Sequence, residues 1–401
     1  MTNQAAQKVV ILGGGFAGVA TAKALSGNSK VAVTLVDKNS YQLYYPSLYE
    51  AACEEVTRQT VTIPLSQIFP RGSVELVRGE VTAVNKAEKK VALKSGQNLD
   101  YDYLVLTLGA ESNDFGIKGV REHTYIFRDL KETVLLRDHI RTIFHLSHER
   151  GKEEINVVIC GGGFSGVELA AELRHHLGHI TEEYHTEVIN ITILEASPQI
   201  LLGLDSRVTE LSGERLKKLN IDIKLGDPVA EVKKDGVRLK SGTFVPSDVT
   251  VWTAGTKSNP IPAAMGLPLD HKGRPVVNES LAVLGYPDIF AAGDLAGFTD
   301  PKSGKGIAPQ AHYAIEMGRL IGKNIARSVD KLPLRQFHPD ALQIIVPVGH
   351  NDAVFYDQGR VSSGWWPSFL RKLVEFNYLV SIFGPLKAWP IFWAEMQVMT
   401  D

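Results

Sequence analysis

The stretch Val9-Val10-Ile11-Leu12-Gly13-Gly14-Gly15-Phe16-Ala17-Gly18 decides the fold, and it has a near copy, Val157-Val158-Ile159-Cys160-Gly161-Gly162-Gly163-Phe164-Ser165-Gly166. Each copy is a short apolar run that opens into a glycine loop and is followed by residues typical of a helix. In such a unit the glycines let the backbone approach a pyrophosphate, which the N–H groups of the helix N-terminus then bind. One such loop is a weak signal, but two predict FAD and NAD(P)H sites and therefore a flavoprotein that passes electrons between them.

The composition bounds what the chain can be. Its 401 residues are enough for roughly three folding units. Hydrophobic residues make up 44% and charged residues 22%, which is typical of a globular protein and excludes disorder. The formal net charge of −2 gives no basic surface, so we expect no nucleic-acid partner. Two cysteines are too few for a disulfide framework, and the polar N-terminus lacks a signal-peptide pattern, so we expect a cytosolic location.

The order of the strand, loop and helix patterns predicts an α/β protein with two Rossmann-like dinucleotide-binding domains. Apolar strands that run into a glycine turn, at 104–109 and 249–255, mark where the chain leaves the first domain and returns to it. We therefore expect an FAD-binding domain formed by residues 1–118 and 259–330, with an NADH-binding domain at 119–258 between its two parts. Residues 331–401 are expected to form a C-terminal region of their own.

The first loop is expected to bind FAD. Asp37 follows Gly18 at about the 20-residue spacing of the acid that accepts the adenosine ribose hydroxyls; the alternative is a solvated acid at a strand end. Asp294 suits the ribityl or pyrophosphate part of a flavin, and the long helix beginning at Ala311 would present its N-terminal dipole to the flavin ring. The predicted FAD-binding set is Gly13, Gly15, Phe16, Ala17, Gly18, Asp37, Lys38, Pro46, Gly109, Gly293, Asp294, Gln310 and Ala311.

The second loop is expected to bind NADH. Glu195 ends the next predicted strand, where an acid accepts ribose hydroxyls and repels a 2′-phosphate, which favours NADH over NADPH. Glu168, just inside the following helix, has two interpretations: a first-turn glutamate stabilised by the helix dipole, or a group facing the space between nicotinamide and flavin. The predicted NADH-binding set is Gly161, Gly163, Phe164, Ser165, Gly166, Glu168, Glu195 and Gly255.

Cys53 raises the question of thiol chemistry. A redox disulfide needs a second cysteine close by, and the chain has only Cys160 besides, at the end of a predicted core strand. Disulfide-reductase chemistry is therefore excluded. A soluble NADH oxidase or peroxidase that cycles Cys53 through a sulfenate stays open, beside the interpretation of Cys53 as a small buried hydrophobe. No metal site is predicted.

The C-terminal region has a different composition from the rest. It contains four of the five tryptophans, and Arg371 and Lys372 stand beside a helical apolar face. The apolar run is interrupted by charged residues and prolines, and so falls short of the about 20 unbroken residues of a membrane span. The pattern favours two amphipathic interfacial segments with a tryptophan belt; a dimer interface or core lid is the alternative. The residues predicted to face the membrane are Trp365, Trp366, Trp389 and Lys387.

The order of these features resembles that of the type II NADH:quinone oxidoreductases, which are single-subunit respiratory flavoproteins that pump no protons. The resemblance runs over essentially the whole chain, and its most specific part is the second loop with the Gly166-Val167-Glu168-Leu169-Ala170 continuation. It implies non-covalent FAD, NADH as donor, menaquinone or ubiquinone as acceptor, and a homodimer that lies peripherally on the cytoplasmic face of the cell membrane. It also places an acid at Glu168 near the nicotinamide and quinone sites.

One departure from the family concerns the acceptor. The family usually has Ala-Gln-x-x-x-Gln at the start of the long helix, where the glutamines lie beside flavin and quinone. This chain has His312 and Glu316 at the two glutamine positions, with Gln310 close by. Quinone reduction consumes two protons, so Glu168, His312 and Glu316 are the predicted catalytic residues, with Lys387 as a remoter candidate. A sulfide:quinone oxidoreductase would need more cysteines; a flavin-binding sensor or scaffold inactive toward quinone is a further alternative.

Overall fold

The computed structural model describes residues 5–70, 72–150, 154–184, 188–341 and 343–398. The chain divides into two units. Unit 1 contains Met1–Leu43, Thr62–Glu111 and Thr256–Asp340, and unit 2 contains Tyr44–Val61, Ser112–Gly255 and Ala341–Asp401. The segment Tyr44–Val61 thus belongs with the second unit, although it lies within the residues that the sequence assigned to FAD binding.

Unit 1 is built on a six-stranded sheet whose middle strands are buried on both faces, as their unbroken apolar runs require. The neighbouring strands are parallel except for the hairpin at one edge. In sheet order the strands are Ala282–Val283, Tyr286–Ala291, Tyr103–Leu106, Gln7–Leu12, Val31–Asp37 and Glu75–Arg78. The remaining strands are Tyr41–Leu43, Thr62–Pro64, Val81–Asn85, Lys90–Leu93, Asn98–Asp100, Ala110–Ser112 and Thr256–Ser258. The helices are Phe16–Leu25, Leu65–Ile68, Ile261–Ala264, Ala311–Val329 and the 3₁₀ turn Gly293–Leu295.

Two helices of unit 1 pack against each other through glycines. A Cβ on Gly318 would lie 2.2 Å from the carbonyl oxygen of Ala17, and one on Gly322 would lie 2.5 Å from the Cβ of Ala24. The Thr21 hydroxyl donates to the Gly318 carbonyl at 3.0 Å. The helix that follows the first glycine loop and the long helix Ala311–Val329 therefore approach to backbone distance, and a larger residue at either glycine would separate them.

Unit 2 is built on a five-stranded sheet in which all neighbouring strands are parallel. In sheet order these are Tyr125–Ile126, Val249–Trp252, Glu154–Cys160, Val188–Glu195 and Ile221–Leu225. An antiparallel group consists of Val229–Lys233, Gly236–Leu239 and Phe244–Pro246. The helices before the C-terminal region are Tyr45–Ser47 (3₁₀), Leu48–Ala52, Arg58–Val61, Val120–His123, Leu130–Arg150, Phe164–Tyr184 and Ser206–Lys218.

The C-terminal region contains more than its aromatic composition indicates. Its first part is an antiparallel sheet of Ile344–Gly349, Asp352–Asp357 and Arg360–Gly364. Two helices follow, Trp365–Phe383 and Pro385–Val398, separated by Gly384. Among the described residues, none of the helices combines the length and apolarity that crossing a bilayer requires. The sheet was missed because alternation in its short strands is weak beside the tryptophan-rich helices.

Candidate active site

The first glycine loop turns at Gly13, whose φ of +107° is left-handed. Its N–H donates to the Val36 carbonyl at 2.8 Å, and a Cβ there would lie 2.3 Å from the carbonyl oxygen of Thr107. The Thr107 hydroxyl lies 2.8 Å from the Leu12 carbonyl and 2.9 Å from that of Gly13, and it can donate to either. Only glycine fits this turn.

The second loop repeats this geometry residue by residue. Gly161 has φ +119°, and its N–H donates to the Leu194 carbonyl at 2.8 Å. The Thr253 hydroxyl lies 3.0 Å from both the Cys160 and Gly161 carbonyls. Unit 1 and unit 2 thus each contain the same strand–loop–helix device. The two threonines were not predicted, although a Thr-x-Gly pattern marks them in Thr107-Leu108-Gly109 and Thr253-Ala254-Gly255.

Each loop leaves one glycine position open. A Cβ on Gly15 or on Gly163 would meet no protein atom within 4 Å, and each precedes the first helical residue, Phe16 or Phe164. Neither helix has an acid in its first turn. The structure therefore provides, at both helix N-termini, unobstructed space beside the open glycine, which is what a dinucleotide pyrophosphate needs. The two loops fit FAD and NADH in this respect.

The two predicted ribose acids hold their own loops. Asp37 Oδ2 accepts from the Gly14 N–H at 2.6 Å, and its Oδ1 accepts from the Asn39 N–H at 2.7 Å. Burial raises the pKa of Asp37, while the N–H bonds from Asn39 and Gly14 oppose that rise. Glu195 makes the matching bonds, to the Gly162 N–H at 2.6 Å and the Ser197 N–H at 2.7 Å. Both carboxylates therefore stand where the loop meets the strand end.

Unit 1 brings the rest of its predicted flavin residues to the same edge of the sheet. A Cβ on Gly293 would lie 3.4 Å from the Cβ of Ala314 and 3.6 Å from that of Ala17, so the end of strand Tyr286–Ala291 meets both helix starts. A pocket there is lined by eleven residues, among them Gly293, Asp294, Gln310 and Arg274. Gln310 is the N-cap of that helix, which begins at Ala311 as predicted. Three further residues belong to the predicted FAD-binding set. Gly109 has a left-handed φ of +68°, and Lys38 is exposed. Pro46, by contrast, belongs to unit 2.

The two residues that depart from the family pattern form a pair on the long helix. His312 Nε2 lies 3.4 Å from Glu316 Oε1, one helical turn on. His312 is exposed and Glu316 is half-buried. Two groups that can take up a proton therefore stand beside each other at the start of this helix.

Glu168 is the fifth residue of helix Phe164–Tyr184, so it lies beyond the first turn. The interpretation as a first-turn glutamate stabilised by the helix dipole is wrong for this reason. Burial raises its pKa to about 8; Arg371 opposes the rise and Glu50 adds to it. At neutral pH the side chain is therefore a protonated carboxyl, with a proton to give.

Arg371 and Lys372 belong to a buried ionic cluster that sequence reasoning missed. The Arg371 guanidinium contacts Glu50, Lys372 Nζ lies 3.0 Å from Glu50 Oε1, and Lys372 Nζ lies 3.6 Å from Glu375 Oε2. Burial would raise the pKa of Glu50, but Arg371 and then Lys372 outweigh it and lower the pKa to about 2. Burial raises the pKa of Glu375, and the positive charge of Lys372 opposes that rise. The sequence predicted Arg371 and Lys372 beside an apolar interfacial face. The structure shows in addition that both side chains turn inward and pair with Glu50.

The opposite face of the same helix, and the first part of the helix after it, expose large apolar residues. Trp365 is 73% exposed, and Leu386 is 91% exposed. Trp389 and Trp393 stack with ring centroids 5.9 Å apart, and Lys387 is exposed beside them. Further large apolar residues exposed in the first of these helices are Trp366, Phe369, Leu373 and Val374.

Cys53 has an environment unlike that of a reactive thiol. It is buried, and burial together with the nearby acids, Glu172 first among them, raises its pKa well above the ordinary value. Reactive cysteines are exposed thiolates in electropositive surroundings. Cys53 is therefore a thiol packed in a core, as is Cys160, whose pKa burial raises to about 12.

Comparison with known proteins gives a consistent result. A family model described as pyridine nucleotide-disulphide oxidoreductase matches residues 7–318. The type II NADH:quinone oxidoreductase of Staphylococcus saprophyticus is 26% identical over 391 residues, covering 94% of this chain and 96% of that protein. A protein of that name from Staphylococcus aureus is also 26% identical, over 398 residues, with the same coverage.

Solved structures show the fold. That of NDH2 from Plasmodium falciparum in complex with NADH has a TM-score of 0.86 at 18% identity, covering 96% of this chain and 97% of that one. The resemblance to type II NADH:quinone oxidoreductases and the predicted two-dinucleotide fold are both confirmed. With the family model spanning most of its length, the chain belongs to the pyridine nucleotide-disulphide oxidoreductase family.

Proposed function

We propose that this chain is a non-electrogenic NADH:quinone oxidoreductase that holds FAD non-covalently. The observation that carries the proposal is the duplicated glycine loop, one copy in each unit. In both copies a threonine hydroxyl, of Thr107 or Thr253, contacts the loop carbonyls, and one glycine, Gly15 or Gly163, faces open space. Relatives named type II NADH:quinone oxidoreductase support the donor and the class of acceptor. FAD, when bound, supplies the chemistry that takes hydride from NADH and hands electrons to quinone.

The chain's own residues bind and orient the two nucleotides. We assign FAD to unit 1, where the helix N-termini at Phe16 and Ala311 offer N–H groups and positive dipole ends to phosphate and to negative charge on the ring. Asp37 and Asp294 accept from hydroxyl groups of the cofactor. NADH binds unit 2 through the N-terminus at Phe164, with Glu195 at its ribose. Thr107 and Thr253 keep each loop in the turn that aims its N–H groups.

Quinone reduction also consumes two protons, and the chain has groups that can hold them. Glu168 carries a proton at neutral pH because its pKa is about 8. The His312–Glu316 pair provides a second place for a proton. We assign proton donation to these three residues, with Lys387 as a remoter participant.

The site of action proposed is the cytoplasmic face of the cell membrane. The support is the exposed apolar surface formed by Trp365, Trp366, Trp389 and their neighbours, which suits the headgroup boundary of a bilayer. A quinone dissolved in lipid would reach the protein there. The family resemblance is the support for a homodimer, which sedimentation of the FAD-loaded protein in detergent would test.

Stopped-flow absorbance tests the reaction itself. We expect NADH to bleach the visible absorbance of the FAD-loaded protein, and a menaquinone or ubiquinone analogue to restore it. No bleaching would exclude NADH oxidation. Bleaching that no quinone reverses would leave the sensor or scaffold alternative, and bleaching reversed only by oxygen or peroxide would favour the oxidase alternative at Cys53.

A further inference from the structure

Four titratable side chains that take no part in the proposed reaction meet in unit 2. His350 Nδ1 lies 3.4 Å from Glu172 Oε1 and 4.0 Å from Glu55 Oε2. His175 Nε2 lies 3.9 Å from Glu55 Oε1. The two imidazole rings stack with centroids 4.0 Å apart. One ligand atom from each of Glu55, His175 and His350 lies within 4.8 Å of the others.

These side chains come from three separate parts of the chain. Glu55 follows helix Leu48–Ala52, and His350 lies in the turn after strand Ile344–Gly349. Glu172 and His175 are one turn apart on helix Phe164–Tyr184, so they share a face. The side chains of the four are between 7% and 32% exposed. An ion could therefore reach the cluster from solvent and still be held among partly desolvated ligands.

We propose that Glu55, Glu172, His175 and His350 bind a divalent transition-metal cation, with Zn²⁺ as the best match. Two imidazoles and carboxylate oxygens are the ligand set that favours such ions over Mg²⁺ or Ca²⁺. The cluster crosslinks residues 55, 172–175 and 350, so the bound ion would stabilise unit 2.

The ligand atoms must draw closer together to hold the ion. Ligand atoms about 2.1 Å from a tetrahedral Zn²⁺ are about 3.4 Å from one another. The His350–Glu172 distance of 3.4 Å already meets this value. Glu55 approaches His175 with Oε1 at 3.9 Å and His350 with Oε2 at 4.0 Å, so one of its oxygens must move closer to both rings. The stacked imidazole rings must also turn apart, so that the lone pair of each points at the same ion. Both changes call for rotation about side-chain bonds.

Titration calorimetry with ZnCl₂ tests the proposal on the full-length, FAD-loaded protein, after treatment with chelator and its removal. We expect one Zn²⁺ per chain. His175→Ala and His350→Ala should each weaken binding at least about tenfold. His123→Ala, which removes an exposed histidine elsewhere in unit 2, should leave it unchanged. Binding of less than one ion, or equal binding by all three variants, would overturn the proposal.

A second measurement needs no histidine substitution. Co²⁺ added to the unaltered protein should give the intense visible bands of a tetrahedral site with nitrogen ligands, and Zn²⁺ should abolish them. Glu55→Gln keeps the shape of the side chain and should weaken Co²⁺ binding even if an alanine variant fails to fold. Weak bands typical of octahedral, water-ligated Co²⁺ would contradict the site.

Discussion

Lys372 Nζ lies 3.0 Å from Glu50 Oε1, and both side chains are buried. We predict that Lys372→Met lowers the free energy of unfolding by about 3 kcal/mol, because it leaves a buried carboxylate pair, Glu50 and Glu375, with Arg371 alone. Denaturant unfolding measures this. Lys224→Met, which breaks the exposed pair with Asp222 at 3.0 Å, should cost less than about 1 kcal/mol. Equal losses would show that burial does not matter.

The open glycines allow the two nucleotide sites to be separated. Gly15→Ala and Gly163→Ala should both fold, since neither new Cβ meets the protein, but each methyl group would occupy the space of a pyrophosphate. Gly15→Ala should lower the FAD content of the purified protein on the order of tenfold. Gly163→Ala should keep FAD and raise the KM for NADH by a similar factor.

Gly178→Ala is the matched control for this pair. Gly178 lies in helix Phe164–Tyr184, and a Cβ there also meets nothing within 4 Å. FAD content and KM should stay at their unaltered values. If Gly163→Ala lowered FAD content and Gly15→Ala raised the KM instead, the assignment of the two loops would be reversed.

Glu168 should give stability an unusual pH dependence. Its pKa is about 8 in the folded chain against an ordinary 4.5, so between these values the folded state holds a proton that the unfolded state has released. The contribution of Glu168 to the free energy of unfolding therefore falls as pH rises from 4.5 to about 8 and is constant above that. Chemical denaturation at several pH values measures it, and Glu168→Gln should remove this part of the slope. An unchanged slope in the variant would contradict the raised pKa.

Cys53 should be dispensable for turnover. Because its thiol is buried and its pKa is raised well above the ordinary value, we expect Cys53→Ala to retain NADH:quinone activity within about twofold. Steady-state assays with a quinone analogue and with oxygen measure this. Loss of activity in a variant that still binds FAD would instead support the thiol-dependent oxidase or peroxidase.

The exposed tryptophans should hold the protein on lipid. Trp389→Ser combined with Trp393→Ser should lower binding to vesicles on the order of tenfold, in a flotation assay. Leu202→Ser, which alters an exposed apolar residue outside the C-terminal helices, should have no effect. Point variants are preferable to truncation before these helices, since truncation would also remove Arg371 and Lys372 from Glu50. Unchanged flotation of the double variant would exclude the membrane-binding surface.

Local pattern was enough to predict much of this molecule. Both glycine loops, the strands ending at Asp37 and Glu195, and the start of the long helix at Ala311 follow from apolar runs, glycines and helix spacing within one segment. The structural match confirms the fold prediction. The prediction was possible because each of these signals is local. The roles of individual site residues stay predictions.

Features formed by distant residues could not be predicted in this way. Thr107 acts on Leu12 and Gly13, and Arg371 acts on Glu50, so each partner is meaningful only once the chain is folded. Arg371 and Lys372 in particular look like solvated charges beside an apolar face. The composition of residues 365–383 does not indicate that the carboxylate of Glu50 pairs with them.

Helix Trp365–Phe383 departs from a helix on an ordinary soluble protein in two ways, although its buried side also includes the apolar Leu379 and Ile382. Its charged residues Lys372 and Glu375 face inward, and its large apolar residues, such as Leu373 and Val374, face outward. Each residue advances the helix by about 100°, so a roll of one position would replace Lys372 by Leu373 opposite Glu50. The ion pairs therefore determine which side of the helix exposes its apolar residues, and contact of that side with water is unfavourable. In the absence of lipid or detergent, we expect copies of the protein to associate first through the exposed apolar face of this helix.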